Sequence, residues 1–308
     1  MNNEKELVRW FKLCKVDGLG PKKILRLFSL YKDIDTVWSA SSDELLRTGI
    51  FKENMIESWQ QLKNASDENF EKIISECKQH HIAIVPIISD QYPLKLKLIS
   101  NPPVNLFLQG DQNLIHSKKI AIIGSRQSND DAKKWAFEKA AQFAQQGIVV
   151  VSGGAIGIDV EAHKGTLSVD GKTICVMGTG LLNLYPEEHK PLFDEIRKKG
   201  LLVSENLPYF TGGRIALLQR NRITSGISDA LIAVTSLDNG GVMTQLKHAH
   251  EQQIPIFCPS NPNFTPREGI EKVKREYKMI EMDDITSIVD IIMKSNPQYL
   301  FSQQKSLF

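Results

Sequence analysis

The chain is poor in the features that mark several large protein classes. Its 308 residues contain four cysteines, Cys14, Cys77, Cys175 and Cys258, far apart and with no Cys-x-x-Cys pair. That spacing reads as free thiols in a reducing compartment. His80–His81 and His248/His250 stand without a cysteine or carboxylate framework around them, so no metal site is assigned. No apolar run is long enough for a membrane helix. The opening MNNEKELVRW puts charge where a signal peptide would be apolar, and the expected location is cytoplasmic. Neither sign of charge dominates: 38 Lys and Arg against 36 Asp and Glu give +2, too little to argue for nucleic acid unaided.

Catalytic patterns are missing too. There is no Gly-x-x-x-x-Gly-Lys-Ser/Thr loop, which argues against ATP hydrolysis. Ser125 and Ser152 sit among glycines beside no base, so they read as phosphate donors and not as nucleophiles. Asp159 and His163 are spaced i, i+4 at a helix start and could touch. Their expected use is structural, Asp159 capping helix amides and His163 bonding a neighbouring strand end. No catalytic residue and no cofactor is assigned.

What the chain does have is glycine turns in a repeating frame. Ile122-Ile-Gly-Ser-Arg126 and Val151-Ser-Gly-Gly-Ala-Ile-Gly-Ile-Asp159 each follow an apolar run and precede a helical stretch. Such turns direct backbone N–H groups outward at a helix N-terminus, where they favour phosphate. Asp238-Asn-Gly-Gly-Val-Met-Thr244 forms a third. Arg220-Asn-Arg222 reads as a clamp for phosphate oxygens and a base edge at a helix start. Tyr209-Phe210 nearby could stack bases, although aromatic pairs at this spacing are more often core.

Strands alternate with helices from 118 onward: Lys119–Gly124, helix 130–146, Ile148–Ser152, helix 157–168, Thr173–Gly178 and helix 188–199. Leu201–Glu205, Asp229–Ser236, helix 241–252 and Ile254–Pro259 continue the series. The fold class is α/β, a doubly wound and mostly parallel sheet whose ligands bind at the strand carboxyl ends. Helical stretches Ile270–Lys278 and Asp284–Lys294 complete it. Before it, residues 1–75 form a helical domain with a hairpin turn at Gly18-Leu-Gly-Pro21. That hairpin suits DNA phosphate or protein docking equally. Residues 76–117 are a connecting strand and loop segment, 118–293 the sheet domain, and 294–308 a flexible tail.

These motifs together resemble the DNA-processing protein A (DprA/Smf) family across nearly the whole length. Gly124-Ser-Arg126, Ser152 to Gly165, Gly171-Lys-Thr173, Gly178-Thr-Gly180, Tyr185-Pro186, Ser204-Glu205 and Arg220-Asn-Arg222-Ile carry the resemblance. It implies an extended Rossmann domain behind a helix-hairpin-helix or SAM-like domain. It also implies a homodimeric mediator that binds single-stranded DNA and helps load a RecA-type recombinase, without enzymatic activity. The family's DNA-binding role falls on Ser125, Arg126, Ser152, Gly153, Gly154, Arg220, Asn221 and Arg222. Gly240, Gly241 and Thr244 of the third turn join that edge.

Departures mark a divergent member. Gln127-Ser-Asn-Asp-Asp131 replaces the usual Ser/Thr and Tyr-Gly, bringing two acids toward the phosphate edge. Leu217-Leu218 replaces a Phe-Pro. Val234-Thr-Ser and Pro259-Ser replace Val-Glu-Ala and Pro-Gly, and no winged helix is read after the sheet domain. A role in competence and transformation and one in genome defence or a prophage fit equally. The alternative function is a Rossmann-fold binder or sensor of a small nucleotide. Glycoside-cleaving relatives of that fold carry a glutamate where this chain has Lys247, which argues against hydrolysis. The final Gln304-Lys-Ser-Leu307-Phe308 resembles a sliding-clamp-binding pentapeptide, against the plainer reading of an unengaged tail.

Overall fold

The computed structural model describes residues 3–295, so the clamp-like Gln304, Leu307 and Phe308 lie outside the described residues. Six short helices come first: α1 Glu4–Cys14, α2 Pro21–Leu30, α3 Ile34–Ser39, α4 Ser42–Arg47, α5 Glu53–Asn64 and α6 Glu68–Gln79. Local chemistry sets their ends. Asn3 accepts from the Glu6 amide to start α1, and Ser41 with Glu44 forms a reciprocal capping box on α4. Gly18 takes φ +78° in the hairpin turn, and Pro21 opens α2.

The sheet begins with β1 Ala83–Pro86, helix α7 Leu94–Lys97 and β2 Asn105–Gly110. The alternating part follows: β3 Lys119–Ile123, α8 Asp130–Gln145, β4 Val149–Ser152, α9 Ile158–Ser168, β5 Thr173–Val176, α10 Lys190–Lys199 and β6 Leu201–Ser204. It continues with α11 Arg214–Gly226, β7 Ala230–Ala233, α12 Gly241–Glu251, β8 Ile256–Pro259, α13 Glu268–Val273, β9 Ile280–Met282 and α14 Thr286–Lys294.

The strands form one nine-stranded sheet in the order β1-β2-β6-β5-β4-β3-β7-β8-β9. β1 and β2 pair antiparallel at one edge; from β6 to β9 every neighbour is parallel. The chain winds outward from β3 to β6, then returns to place β7 on the other flank of β3. The order therefore reverses between β3 and β7, and such a reversal opens a crevice at the carboxyl ends.

Period-two alternation distributes β3 between two cores. Ile120 and Ile122 pack with Ala132, Ala136, Ala140 and Phe143 of α8, while Ala121 and Ile123 pack with Leu246 and Ala249 of α12. α8 and α9 lie so close that a Cβ at Gly165 would stand 2.0 Å from the Phe137 carbonyl oxygen.

The N-terminal helices are not a separate bead. Trp10, Leu13, Leu27 and Trp59 share one apolar cluster with Leu106, Val149, Val151, Ile174 and Val203 of the sheet. The Trp10 indole also donates to Asn105 Oδ1 at 2.6 Å.

Two expectations need correcting. The helical stretch Ile270–Lys278 is a helix only to Val273; a turn over 274–278, closed by Lys278 at φ +51°, leads into β9, an edge strand that sequence reasoning missed. Arg220-Asn-Arg222 lies in the interior of α11, not at a helix start. The turn Gly212-Gly213, with φ +87° and +141°, begins that helix at Arg214.

Candidate nucleic-acid interface

The first glycine turn leaves β3 and is locked from below. The Ser125 amide donates to Thr235 Oγ1 at 3.1 Å, and Ser125 Oγ accepts from the Gln127 amide at 3.1 Å. Ser128 Oγ donates to the Ser125 carbonyl at 2.8 Å. This network holds Arg126 out into solvent, where it makes no ion pair among the described residues. Asp130 and Asp131 do not join it. They lie in the first turn of α8 on the solvent side, Asp130 paired with Lys133, and neither lines the cleft. The two acids expected at the phosphate edge are therefore spent on the α8 N-terminus.

The second turn lies beneath. Ser152 is fully buried, its Oγ donating to the Ile122 carbonyl at 2.6 Å, so its hydroxyl faces the interior and not a ligand. His163 stands 2.8 Å from the Gly153 carbonyl through Nε2 and 2.7 Å from Thr173 Oγ1 through Nδ1. A carbonyl can only accept, so Nε2 carries the proton; Nδ1 and the Val150 carbonyl, 2.8 Å from Thr173 Oγ1, both stand as acceptors for the single proton of that hydroxyl. Burial pushes the His163 pKa down to about 4, keeping the ring neutral. Asp159 accepts weakly from the Ala155 amide at 3.4 Å. Burial raises its carboxyl pKa, opposed by the charge of Arg220. Asp159 and His163 thus serve the turn separately, with no hydrogen bond between them; His163 bonds beside neighbouring strand ends as expected, but Asp159 accepts from an amide ahead of α9 and does not cap the helix.

Arg220 is the centre of the site. Only 7% exposed, it reaches under Gly153 and donates through Nη1 to the Val176 carbonyl at 2.9 Å. A Cβ at Gly153 would lie 1.9 Å from that nitrogen, so the glycine is what admits the guanidinium. Asn221 Nδ2 donates to the Gly241 carbonyl at 3.2 Å, tying α11 to the third turn. Arg222 points elsewhere. It forms a bidentate pair with Glu205 at 2.6 Å on both oxygens, and its Nε donates to the Asn101 carbonyl at 2.8 Å. Residues two apart on a helix differ by about 200° in direction, so Arg220 and Arg222 cannot share a ligand.

These pieces bound a cleft of about 810 Å³ at the β3/β7 reversal, lined by the first and third turns. Gly124, Ser125, Arg126, Arg220, Asn221, Gly240, Gly241 and Thr244 line it; Ser152, Gly153 and Gly154 support it from below. Three helix starts open onto it, those of α9, α11 and α12. Each has a glycine N-cap and no side-chain cap. A helix start without a side-chain cap favours an anion placed against it. Asp159 is the single acidic lining residue against Arg126, Arg214 and Arg220. Leu217 and Leu218 line one wall. Tyr185 of the lining is 55% exposed, and Tyr209, Phe210 and Ile215, which flank the lining segment 211–214 in the chain, are 55%, 41% and 73% exposed, so the Tyr209-Phe210 pair is not core.

Sequence reasoning assigned no role to Thr179, Arg214 or Gln245, all of which line the cleft. Signals existed for all three: Thr179 stands in Gly178-Thr-Gly180 just after β5, Arg214 crowds one basic segment with Arg220 and Arg222, and Gln245 follows Gly241 by one helical turn. Lys247 lies outside the cleft, exposed and near Glu251 at 3.8 Å. Among the described residues no helix is long and apolar enough to cross a membrane.

Comparison with known proteins agrees with this geometry. The family model for DNA recombination-mediator protein A matches residues 81–290. The DNA processing protein DprA of Bacillus subtilis is 32% identical over 212 residues, covering 68% of this chain and 71% of its own. The X-ray structure of DNA processing protein A from Streptococcus pneumoniae superposes with a TM-score of 0.77 at 26% identity, over 92% of this chain and 97% of that one. A structure of the Helicobacter pylori protein, concerned with its single-stranded DNA binding mode, gives 0.61 at 26% identity over 69% and 96%. With the matched segment spanning all three glycine turns and the whole of the cleft, the chain belongs to the DNA recombination-mediator protein A family.

Proposed function

We propose that this protein binds single-stranded DNA in the β3/β7 cleft and acts as a recombination mediator, dimerising and assisting a RecA-type recombinase, and not as an enzyme. The observation that carries this reading is the convergence of three uncapped helix starts with Arg126, Arg214 and Arg220 on one cleft. Phosphate contacts of this kind are indifferent to sequence, and their affinity falls as salt rises. The exposed rings of Tyr185 in the lining and of Tyr209 and Phe210, next to it in the chain, supply stacking surfaces for bases that a duplex would keep hidden. The single-stranded DNA binding studied in the Helicobacter pylori relative supports the same ligand here.

Fluorescence anisotropy of a labelled oligothymidine, titrated with salt beside a duplex control, tests this. The single strand binds more tightly than the duplex. Arg126→Ala weakens it about tenfold and lowers the salt slope by roughly 0.7, the share of one phosphate contact on a single strand. Absence of binding at low salt overturns the reading.

A further inference from the structure

Unmet side-chain hydrogen-bonding capacity, among the described residues, concentrates at the floor of the cleft. Among the described residues, six buried side-chain polar atoms have no hydrogen-bond partner, and three of them belong to cleft-lining residues: Thr179 Oγ1, Arg220 Nε and Gln245 Nε2. Their residues are 2%, 7% and 6% exposed, contributed by the segment just after β5, the middle of α11 and the second turn of α12. Arg220 is in addition a buried cation that forms no ion pair; even Asp159, whose charge reaches it, does not close to salt-bridge distance. A buried charge and buried donors left in this state cost stability unless a ligand completes them. Arg220 Nε and Gln245 Nε2 can only donate, and the Thr179 hydroxyl can donate as well. The three helix starts above them also present donors. The missing partner is therefore rich in acceptors and negatively charged.

We propose that this floor is a phosphomonoester subsite, which receives the terminal phosphate of a DNA strand or of a free nucleotide. A monoester offers three acceptor oxygens and close to two negative charges, more than an internal diester can bring to the same donors. Depth favours the same group. To reach donors nine-tenths buried, an internal phosphate must drag both neighbouring nucleotides inward, whereas a strand end drags one. The inference rests on reading the cleft as a nucleic-acid site, and adds to it a preference for ends.

The full chain is titrated with oligothymidines identical except for a 5′-phosphate, a 3′-phosphate or hydroxyls at both ends. Free thymidine monophosphate serves as competitor, and by equilibrium dialysis as a ligand in its own right. One of the phosphorylated strands binds about tenfold tighter than the hydroxyl strand, and the ratio falls toward one in Gln245→Ala. Competition by the free nucleotide assigns the subsite to nucleotides generally; a phosphorylated-strand preference without competition assigns it to strand ends. Equal affinity for all three strands overturns the subsite while leaving single-strand binding intact. Binding of the free nucleotide with no strand binding at all overturns the proposed function and leaves the subsite. Should Gln245→Ala fail to fold, the ratio in the unaltered protein still decides.

Discussion

The two ends of the same strands are built on opposite terms. At the amino ends of β3 and β7, the buried charges are answered. Asp229 pairs with Lys95, accepts the Lys119 amide at 2.8 Å and accepts Ser295 Oγ at 2.8 Å. The Lys119 ammonium, its pKa pushed down to about 8 by burial, donates to the Ile115 carbonyl at 3.0 Å and to that of Ser117. At the carboxyl ends, some 15 Å away by strand rise over β3, Thr179, Arg220 and Gln245 hold donors with nothing to bond. One end is finished by folding; on the proposed function the other is finished by a ligand. On that reading stability and binding are separated along the length of each strand, and each can be disturbed without the other.

The largest effect that would test this separation lies at the amino ends. Asp229→Ala strips Lys95 of its counter-ion and the Lys119 amide and Ser295 of an acceptor. It should cost about 3–5 kcal/mol in urea unfolding, with strand affinity held within about twofold. A loss of affinity without a loss of stability would break the contrast. The pH dependence of stability comes next. His163 has a folded pKa of about 4 against an ordinary 6.5, so between those values the unfolded chain binds the proton and the native one does not. Stability therefore falls as pH drops from about 6.5 to about 4, by up to about 3 kcal/mol from this residue. His163→Gln removes that share of the slope, measured as the difference between the two proteins' urea midpoints across the window. At the carboxyl ends, Gly153→Ala pushes a Cβ into the Arg220 guanidinium, a flexible end that can swing aside. Strand affinity should fall by about tenfold, while stability changes by no more than about 1 kcal/mol. The smallest effect is expected from Asp130→Ala with Asp131→Ala. Both lie outside the cleft, so affinity should stay within about twofold despite the loss of two acids.

How legible each part was follows from the range of the forces that set it. The strand and helix alternation, the three glycine turns and the crevice side of the sheet were all readable, because local periodicity and turn chemistry determine them. β9 was not, since its three residues owe their strand form to pairing with β8 and carry little pattern of their own. Arg222 illustrates a different limit. As part of Arg-Asn-Arg it reads as a ligand group, and only the onset of α11 at Arg214 shows that it must turn toward Glu205. Ser152 was misjudged for a related reason: a serine beside two glycines suggests an open loop, yet it is still inside β4 and bonds across to β3. Thr179 and Gln245 lay in view as residues, but their significance is the absence of partners, which no sequence pattern encodes.

The apolar cluster that joins Trp10 and Leu27 to Val149, Val151 and Ile174 has a mechanical consequence. Helices α1 to α6 are bolted to the strands whose far ends form the cleft. Whatever grips the Gly18-Leu-Gly-Pro21 hairpin, be it phosphate or protein, applies its load to β4 and β5 with no hinge between. Cutting the chain before β3 would not release a freestanding binding unit. It would strip β6 of its β2 neighbour and bare the oily face of the sheet, leaving a fragment inclined to stick to its own copies.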